Sequence, residues 1–333
     1  MRHFINFKDF TSEELISIAY RATEIKLGSE IKNLRGKIFG MLFFKQSLRT
    51  RVSFEAGLSR YGGSAITLTM GTDGWAIETK EGTIMDGAPA EHVIEAARVL
   101  SRYCDFLGVR SAPEMNSYDE QSADSLITSF GKYSTVPVIN LESNFEHPCQ
   151  AIADLQTLQE KNAHRKKFVF TWLPGKRASP LATPHSIPMG PTMLGMDVTI
   201  VHPPGYDLDP RYIEQYKKYQ QESNGSFQVI STSSVEQRDQ IILSADFVYG
   251  KSWASPQMYG NKEAQTKDYE LRADWKIGFQ HISHSGKFMH CLPLRRNLKV
   301  MDNLLDSDKS IVIDQAENRM WAQLSVLEYL CKG

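Results

Sequence analysis

No stretch of this 333-residue chain approaches the ~18 consecutive apolar residues that a membrane-spanning helix needs, and Met1 to Asp9 carries charges with no apolar core of signal-peptide length. Cysteine is scarce. Cys104, Cys149, Cys291 and Cys331 stand far apart and none forms a Cys-x-x-Cys pair, which argues against a disulfide framework or a cysteine-rich zinc site and fits a reducing compartment. Neither sign of charge dominates: 38 Lys and Arg face 39 Asp and Glu, so no global field draws the chain to nucleic acid or an anionic membrane. No Gly-x-Gly-x-x-Gly follows an early strand, which counts against a dinucleotide enzyme. Internal repeats and low-complexity linkers are missing too. The expectation is a soluble, cytoplasmic protein, long enough for two closely packed domains with a core each.

What is present is an alternation of strands and helices. Thr11-Ser12-Glu13-Glu14 is a capping box that opens a helix through about Ile25. Ile38 to Phe44 reads as a buried strand, Leu48 to Tyr61 as an amphipathic helix and Ser64 to Met70 as a strand, followed by an irregular Gly-rich segment from Gly71 to Thr83. Helices are expected over Glu91 to Tyr103, Gln121 to Tyr133 and His147 to Glu160, with strands over Phe106 to Val109 and Val136 to Leu141. The second half continues with strands at Lys167 to Leu173, Val198 to His202, Phe227 to Ile230, Ala245 to Gly250 and Lys287 to Leu292. Its helices are a proline-rich candidate at Pro180 to Gly195, a polar one at Ile213 to Gln221 and a last one at Ala316 to Leu330. This pattern predicts an α/β protein of two domains, parallel sheets flanked by helices, with ligand sites at the ends of strands. The divisions expected are 1–145 and 146–315, with the segment 316–333 packing back on the first domain.

The stretch around Ser47 carries the clearest chemistry. It places Ser47 at a strand-to-helix turn and Arg49, Thr50 and Arg51 in the first helical turn. Helices favour acidic residues there, because the amide dipoles leave partial positive charge at that end. Two arginines make sense if a strong anion fills the gap, held by backbone N–H groups, hydroxyls and guanidinium forks. A capping serine with two solvated arginines is the alternative. Three further clusters follow strand ends: Arg110 after Val109, Glu142 with His147-Pro148-Cys149-Gln150, and His290-Cys291-Leu292-Pro293-Leu294-Arg295-Arg296 with Arg319 beyond it.

The ordered set Ser47-Leu48-Arg49-Thr50-Arg51, His147-Pro148-Cys149-Gln150 and His290-Cys291-Leu292-Pro293-Leu294-Arg295 resembles the transcarbamylases, and its motifs span the chain in the family's order. The resemblance implies two Rossmann-like domains with the active site in the interdomain cleft, a homotrimer with shared sites, and transfer of a carbamoyl group from carbamoyl phosphate to an amine, with no metal or organic cofactor. By motif matching, Ser47, Leu48, Arg49 and Thr50 would hold the phosphate. Arg110, His147 and Gln150 would bind the carbamoyl group, with Cys291 and Leu292 lining the pocket. The Ser-Met-Gly loop of the usual ornithine enzymes is absent, and Phe247-Val248-Tyr249-Gly250-Lys251-Ser252-Trp253 stands in its place. Gly74-Trp75, Met85-Asp86-Gly87 and Lys251-Ser252-Trp253 look instead like the N-acylornithine branch of arginine biosynthesis. There Trp75 would reach a neighbouring subunit's site, Glu142, Lys251 and Leu292 would contact the amino-acid substrate, and Arg319 the carbamoyl phosphate. Lys299 matches a lysine that is carboxylated in acetyl enzymes; an ordinary surface lysine would leave the same trace. Ala90 falls at a specificity point, where acetyl enzymes have glutamate and a succinyl type has proline. Alanine there favours N-succinylornithine over N-acetylornithine, with Arg177 or Lys287 as the cation for the extra carboxylate. Free ornithine as substrate, and a non-catalytic carbamoyl-phosphate-binding homologue, are the alternatives.

Overall fold

A computed structural model describes residues 1–331; residues 332 and 333, the end of the expected C-terminal segment, lie outside the described part. The chain divides into two compact units. The first comprises Met1–Glu114, Asp119–Ala153 and the chain from Arg319 on; the second comprises Met115–Tyr118 and Asp154–Asn318.

The first unit opens with α1 (Ser12–Lys26), whose Thr11 hydroxyl accepts from the Glu14 N–H while the Glu14 carboxylate accepts from the Thr11 N–H. Then come β1 (Ile38–Phe43), α2 (Arg49–Arg60), β2 (Ser64–Thr69), a two-stranded parallel ribbon of β3 (Ile77–Glu78) and β4 (Glu91–His92), and α3 (Val93–Tyr103). β5 (Phe106–Arg110), α4 (Tyr118–Ser122), α5 (Ser125–Tyr133), β6 (Val138–Glu142) and α6 (Pro148–Glu160) follow, with Tyr118 of α4 and α6 from Asp154 on counted to the second unit. The sheet is parallel, in the order β2-β1-β5-β6. β1 and β5 are central and buried on both faces, so they read as continuous apolar runs rather than alternations. Leu42, Val93, Ala97, Leu107, Val109, Phe130 and Val138 make the core. Chain order reverses direction across the sheet between β1 and β5, and loops leaving such a switch point diverge and open a crevice at the strands' carboxyl ends.

The second unit holds β7 (Lys167–Trp172), α7 (Ala182–Ser186), α8 (Met189–Met193), β8 (Asp197–His202), α9 (Pro210–Ser223), β9 (Ser226–Ser231), α10 (Val235–Leu243), β10 (Phe247–Lys251), α11 (Lys262–Leu271), β11 (Lys287–Met289) and α12 (Asp302–Leu305). Its parallel sheet runs β11-β10-β7-β8-β9, with the switch between β7 and β10. Val169, Leu173, Val201, Val248, Phe288 and Leu304 pack its core. The last helix, α13 (Val312–Leu330), returns the chain to the first unit. Among the described residues no helix is long and apolar enough to cross a membrane.

Candidate active site

β1 delivers the chain to the switch point of the first unit, and α2 begins there. The N-cap is Leu48, already in a helical conformation, and no side chain caps the helix; its first turn contains no acid. Ser47 therefore does not serve as the cap. The first turn of a helix presents N–H groups with no intrahelical partner, and the dipole adds positive charge. Ser47 and Arg49 are half-buried beside it and Thr50 is buried. The two arginines part company. Arg51 donates to the Thr69 hydroxyl (3.3 Å) and lies over the Phe43 ring, which commits it to the sheet.

Arg110 ends β5, where a register shift against β6 sets it opposite Glu142. Their side chains pair at 2.5 Å, and Arg110 also reaches the Thr50 hydroxyl and the Leu141 carbonyl, each at 3.4 Å. Glu142 has a φ of 140°, a backbone region that costs a non-glycine residue on the order of 1–3 kcal/mol. It is held there by the Asn140 side chain, which accepts its N–H (3.0 Å), and by Ser111, whose N–H donates to its carbonyl (2.9 Å). His147 stands just before α6, its Nε2 3.8 Å from the Glu142 carboxylate; its carbonyl accepts from the Ala151 N–H. Pro148 at the first helical position sacrifices no bond, since that N–H has no intrahelical acceptor.

Arg319, on α13, ties the cluster together. Its Nη1 donates to the Gln150 Oε1 (2.7 Å) and its Nη2 to the Thr50 Oγ1 (3.0 Å), all three residues being buried. Gly57 marks the close approach of α2 and α13. It lies on α2 two turns beyond Thr50, and a Cβ there would stand 3.2 Å from side-chain atoms of both Met320 and Leu324. Thr50, Arg110, Glu142, Gln150 and Arg319 thus form one bonded group at the mouth of the sheet. Cys149, beneath it, is inert: burial pushes its thiol up to about 12.

Trp75 lies two residues before β3, and Ala90 directly before β4. The Trp75 indole, 59% exposed, donates to the Glu91 carboxylate at 2.6 Å, and Ala90 is exposed next to it. Glu91 carries no motif and is visible only once the ribbon is formed.

In the second unit Lys251 ends β10 opposite Trp172, the end of β7. Its neighbours Ser252 and Trp253 are core: the Ser252 hydroxyl donates to the Pro174 carbonyl, and the Trp253 indole to that of Tyr206. Cys291 and Leu292 follow β11. Leu292 has a φ of 50° and its N–H donates to His290 Nδ1 (2.9 Å). The His290 N–H in turn donates to Gln315, which is anchored on Asp154 and Tyr249. Lys299 is buried rather than an ordinary surface lysine. Desolvation, then the charges of Lys251 and Arg295, bring its amine down to about 7. Lys287, one of two cations expected for a succinyl carboxylate, stands at the wrong end. It starts β11 opposite Phe247 and donates to the Asp308 carbonyl, whereas Lys251 lies four residues, about 13 Å, further along the sheet. Arg177 is exposed in the loop after β7, at the same sheet end as Lys251.

An uncapped helix start beside the guanidinium groups of Arg110 and Arg319 is an arrangement suited to binding an anion. Known proteins agree. Residues 2–160 match the carbamoyl-P binding domain, and residues 182–330 the Asp/Orn binding domain, of aspartate/ornithine carbamoyltransferase. The chain is 39% identical to the N-acetylornithine carbamoyltransferase of Xanthomonas axonopodis pv. citri, covering 99% of this chain and 96% of that one. It is 34% identical to the N-succinylornithine carbamoyltransferase of Bacteroides thetaiotaomicron, covering 90% and 89%. A crystal structure of a glutamate-to-alanine mutant of N-acetyl-L-ornithine transcarbamylase, complexed with carbamyl phosphate and N-succinyl-L-norvaline, superposes with a TM-score of 0.94 at 38% identity, covering 99% of this chain and 100% of that one. The chain belongs to the aspartate/ornithine carbamoyltransferase family. It is a carbamoyltransferase, and within the family it falls in the N-acylornithine branch.

Proposed function

We propose that the enzyme transfers the carbamoyl group of carbamoyl phosphate to the side-chain amine of N-succinyl-L-ornithine, giving N-succinylcitrulline and phosphate, a step of arginine biosynthesis. The observation that carries the transfer chemistry is the group in which Arg110 and Arg319 join Thr50, at the uncapped start of α2, to Glu142 and Gln150. Ser47, Leu48, Arg49 and Thr50 hold the phosphate through backbone N–H groups, hydroxyls and one guanidinium. Arg110, His147 and Gln150 bind the carbamoyl carbonyl and amide, and Arg319 reaches from Gln150 to the phosphate arm. As the neutral amine adds to the carbonyl carbon, negative charge grows on its oxygen and then passes to the departing phosphate. Fixed cationic donors stabilise both anions, and alignment of two bound substrates supplies much of the remainder. The phosphate itself takes the proton that the amine releases. Cys291 and Leu292 line this pocket, and Glu142, Lys251 and Leu292 bind the amino-acid substrate.

Lys299 is proposed to carry a carboxylate formed with CO2. An amine brought down to about 7 has a substantial neutral fraction near neutral pH, as addition to CO2 requires, and the carbamate would sit near Lys251 and Arg295. The exposed Trp75 is proposed to complete the site of a neighbouring subunit in a homotrimer. Leu48, Val52, Ile66, Ile84 and Met85 are large apolar side chains exposed in the same unit, the kind of surface a second copy covers.

The acyl group is read from Ala90. Succinyl differs from acetyl by a carboxylate, which a glutamate at this position would repel; at an effective dielectric near 20 two like charges ~4 Å apart cost on the order of 4 kcal/mol. Alanine removes that barrier, and the mutant relative crystallised with a succinyl ligand carries alanine in place of a glutamate. Arg177 is the cation proposed for the added carboxylate. N-acetylornithine is the second reading, favoured by the higher identity to the acetyl enzyme, 39% against 34%. Ala90→Glu decides between them: it should lower kcat/KM for the succinyl substrate by ~10-fold or more, about 1.4 kcal/mol, and spare the acetyl one. An equal effect on both substrates contradicts the reading.

A further inference from the structure

Asp124 occupies the N-cap position of α5, where aspartate ordinarily accepts from its own helix, yet it makes no such bond and takes a left-handed conformation (φ 47°, ψ 42°). Its carboxylate is turned instead onto the loop that separates Glu142 from His147. It accepts the Ser143 hydroxyl in a short bond, the Asn144 N–H (2.9 Å) and the Phe145 N–H (3.4 Å). The Ser143 hydroxyl oxygen also accepts from the Asn140 side-chain amide (3.0 Å), whose own oxygen holds the Glu142 N–H. Asn140 is fully buried, and its amide is further fixed by the Ile5 carbonyl. All three donors to Asp124 are neutral, and burial pushes its carboxyl up, so the charge is maintained there at a cost.

We infer that Asp124 is a positioning residue for carbamoyl transfer: by clamping residues 143–145 it fixes the strained backbone of Glu142 on one side and His147 on the other. Glu142 pairs with Arg110 and lies 3.8 Å from His147 Nε2, so a loosened loop displaces the carbamoyl pocket first, while Arg319 on α13 still holds Thr50 at the start of α2. The inference rests on the carbamoyl-transfer reading for its assay.

The test is Asp124→Asn in the full-length enzyme. Asparagine keeps the shape but places an N–H2 against a donor. The expected result is a loss of kcat/KM of ~10-fold or more, the scale of a misplacement below 1 Å, with inorganic phosphate bound within about 2-fold of wild type. A smaller loss in the folded variant, or a parallel loss of phosphate binding, overturns the clamp. If Asp124→Asn does not fold, Ser143→Ala, which removes only the bridging hydroxyl, is held to the same two criteria. Wild-type enzyme that forms no citrulline product from any ornithine would fail the carbamoyl-transfer reading instead, which keeps the two failures distinct.

Discussion

Arg319 and Lys299 show how far a single side chain depends on what surrounds it. In the sequence Arg319 is one cation beyond a strand-end cluster, and Lys299 is reached through resemblance alone. In the structure Arg319 bridges Thr50 and Gln150, and Lys299 is buried with its amine brought down to about 7. Burial and proximity are tertiary facts, and the segments of α2, α6 and α13 that meet at Arg319 lie as many as 269 positions apart in the chain. The same reason hides Asp124, Asn140 and Glu91. The Lys299 assignment has a sign that can be checked. An amine with a lowered pKa loses its proton as pH rises through about 7, so carbamate formation should increase through that value and vanish below it. 13C-bicarbonate should give a carbamate resonance in the wild type at pH 8 that fades toward pH 6 and is missing in Lys299→Arg. A signal unchanged by the substitution would place the modification elsewhere.

At the scale of elements, α1, β1, α2, β2, β5 and β7 are legible within a residue or two, because a capping box marks α1 and apolar patterns mark the rest. The candidate at Pro180 to Gly195 is two short helices, α7 and α8, with Pro188 between them; proline there has no N–H to continue one helix. The candidate at Gln121 to Tyr133 also breaks, at left-handed Asp124. Two helices, α10 and α11, leave no clear periodic signal. α10 buries Arg238, whose guanidinium donates to the Trp275 (2.7 Å) and Asp274 (3.3 Å) carbonyls, so a charged residue occupies what the pattern would demand be apolar. The approach of α2 to α13 depends on Gly57. Gly57→Val should drive its branches into Met320 and Leu324, destabilise the protein by about 1–3 kcal/mol, and weaken carbamoyl-phosphate binding as Arg319 withdraws from Thr50. Thermal unfolding with calorimetric binding measures both. A variant with unaltered affinity would show that the helix contact does not set Arg319.

For the whole molecule, the sheet orders place Arg110 and the α2 start at one switch point and Lys251 at the other, an arrangement that topology supplies and that alternation of strands only suggests. Sharing of sites between subunits is proposed from the exposed Trp75 beside its ribbon, and complementation tests it. If Arg49 holds the phosphate as proposed, Arg49→Ala should be inactive, since removing a cation from a bound dianion costs on the order of 3 kcal/mol or more, and Trp75→Ala should be inactive if its side chain serves a neighbour. Mixed oligomers of the two inactive chains should regain part of the activity, because some sites then combine a wild-type Arg49 with a wild-type Trp75. Verified mixed oligomers without any recovery would contradict the shared site.

The most direct test of the account is citrulline formation by the wild-type enzyme with carbamoyl phosphate and each of three amines in turn: ornithine, N-acetylornithine and N-succinylornithine. The account predicts turnover with the acylated amines, the highest kcat/KM for N-succinylornithine, and none above background for free ornithine. Preference for N-acetylornithine would contradict the role given to Ala90, and preference for free ornithine would contradict the N-acylornithine assignment itself.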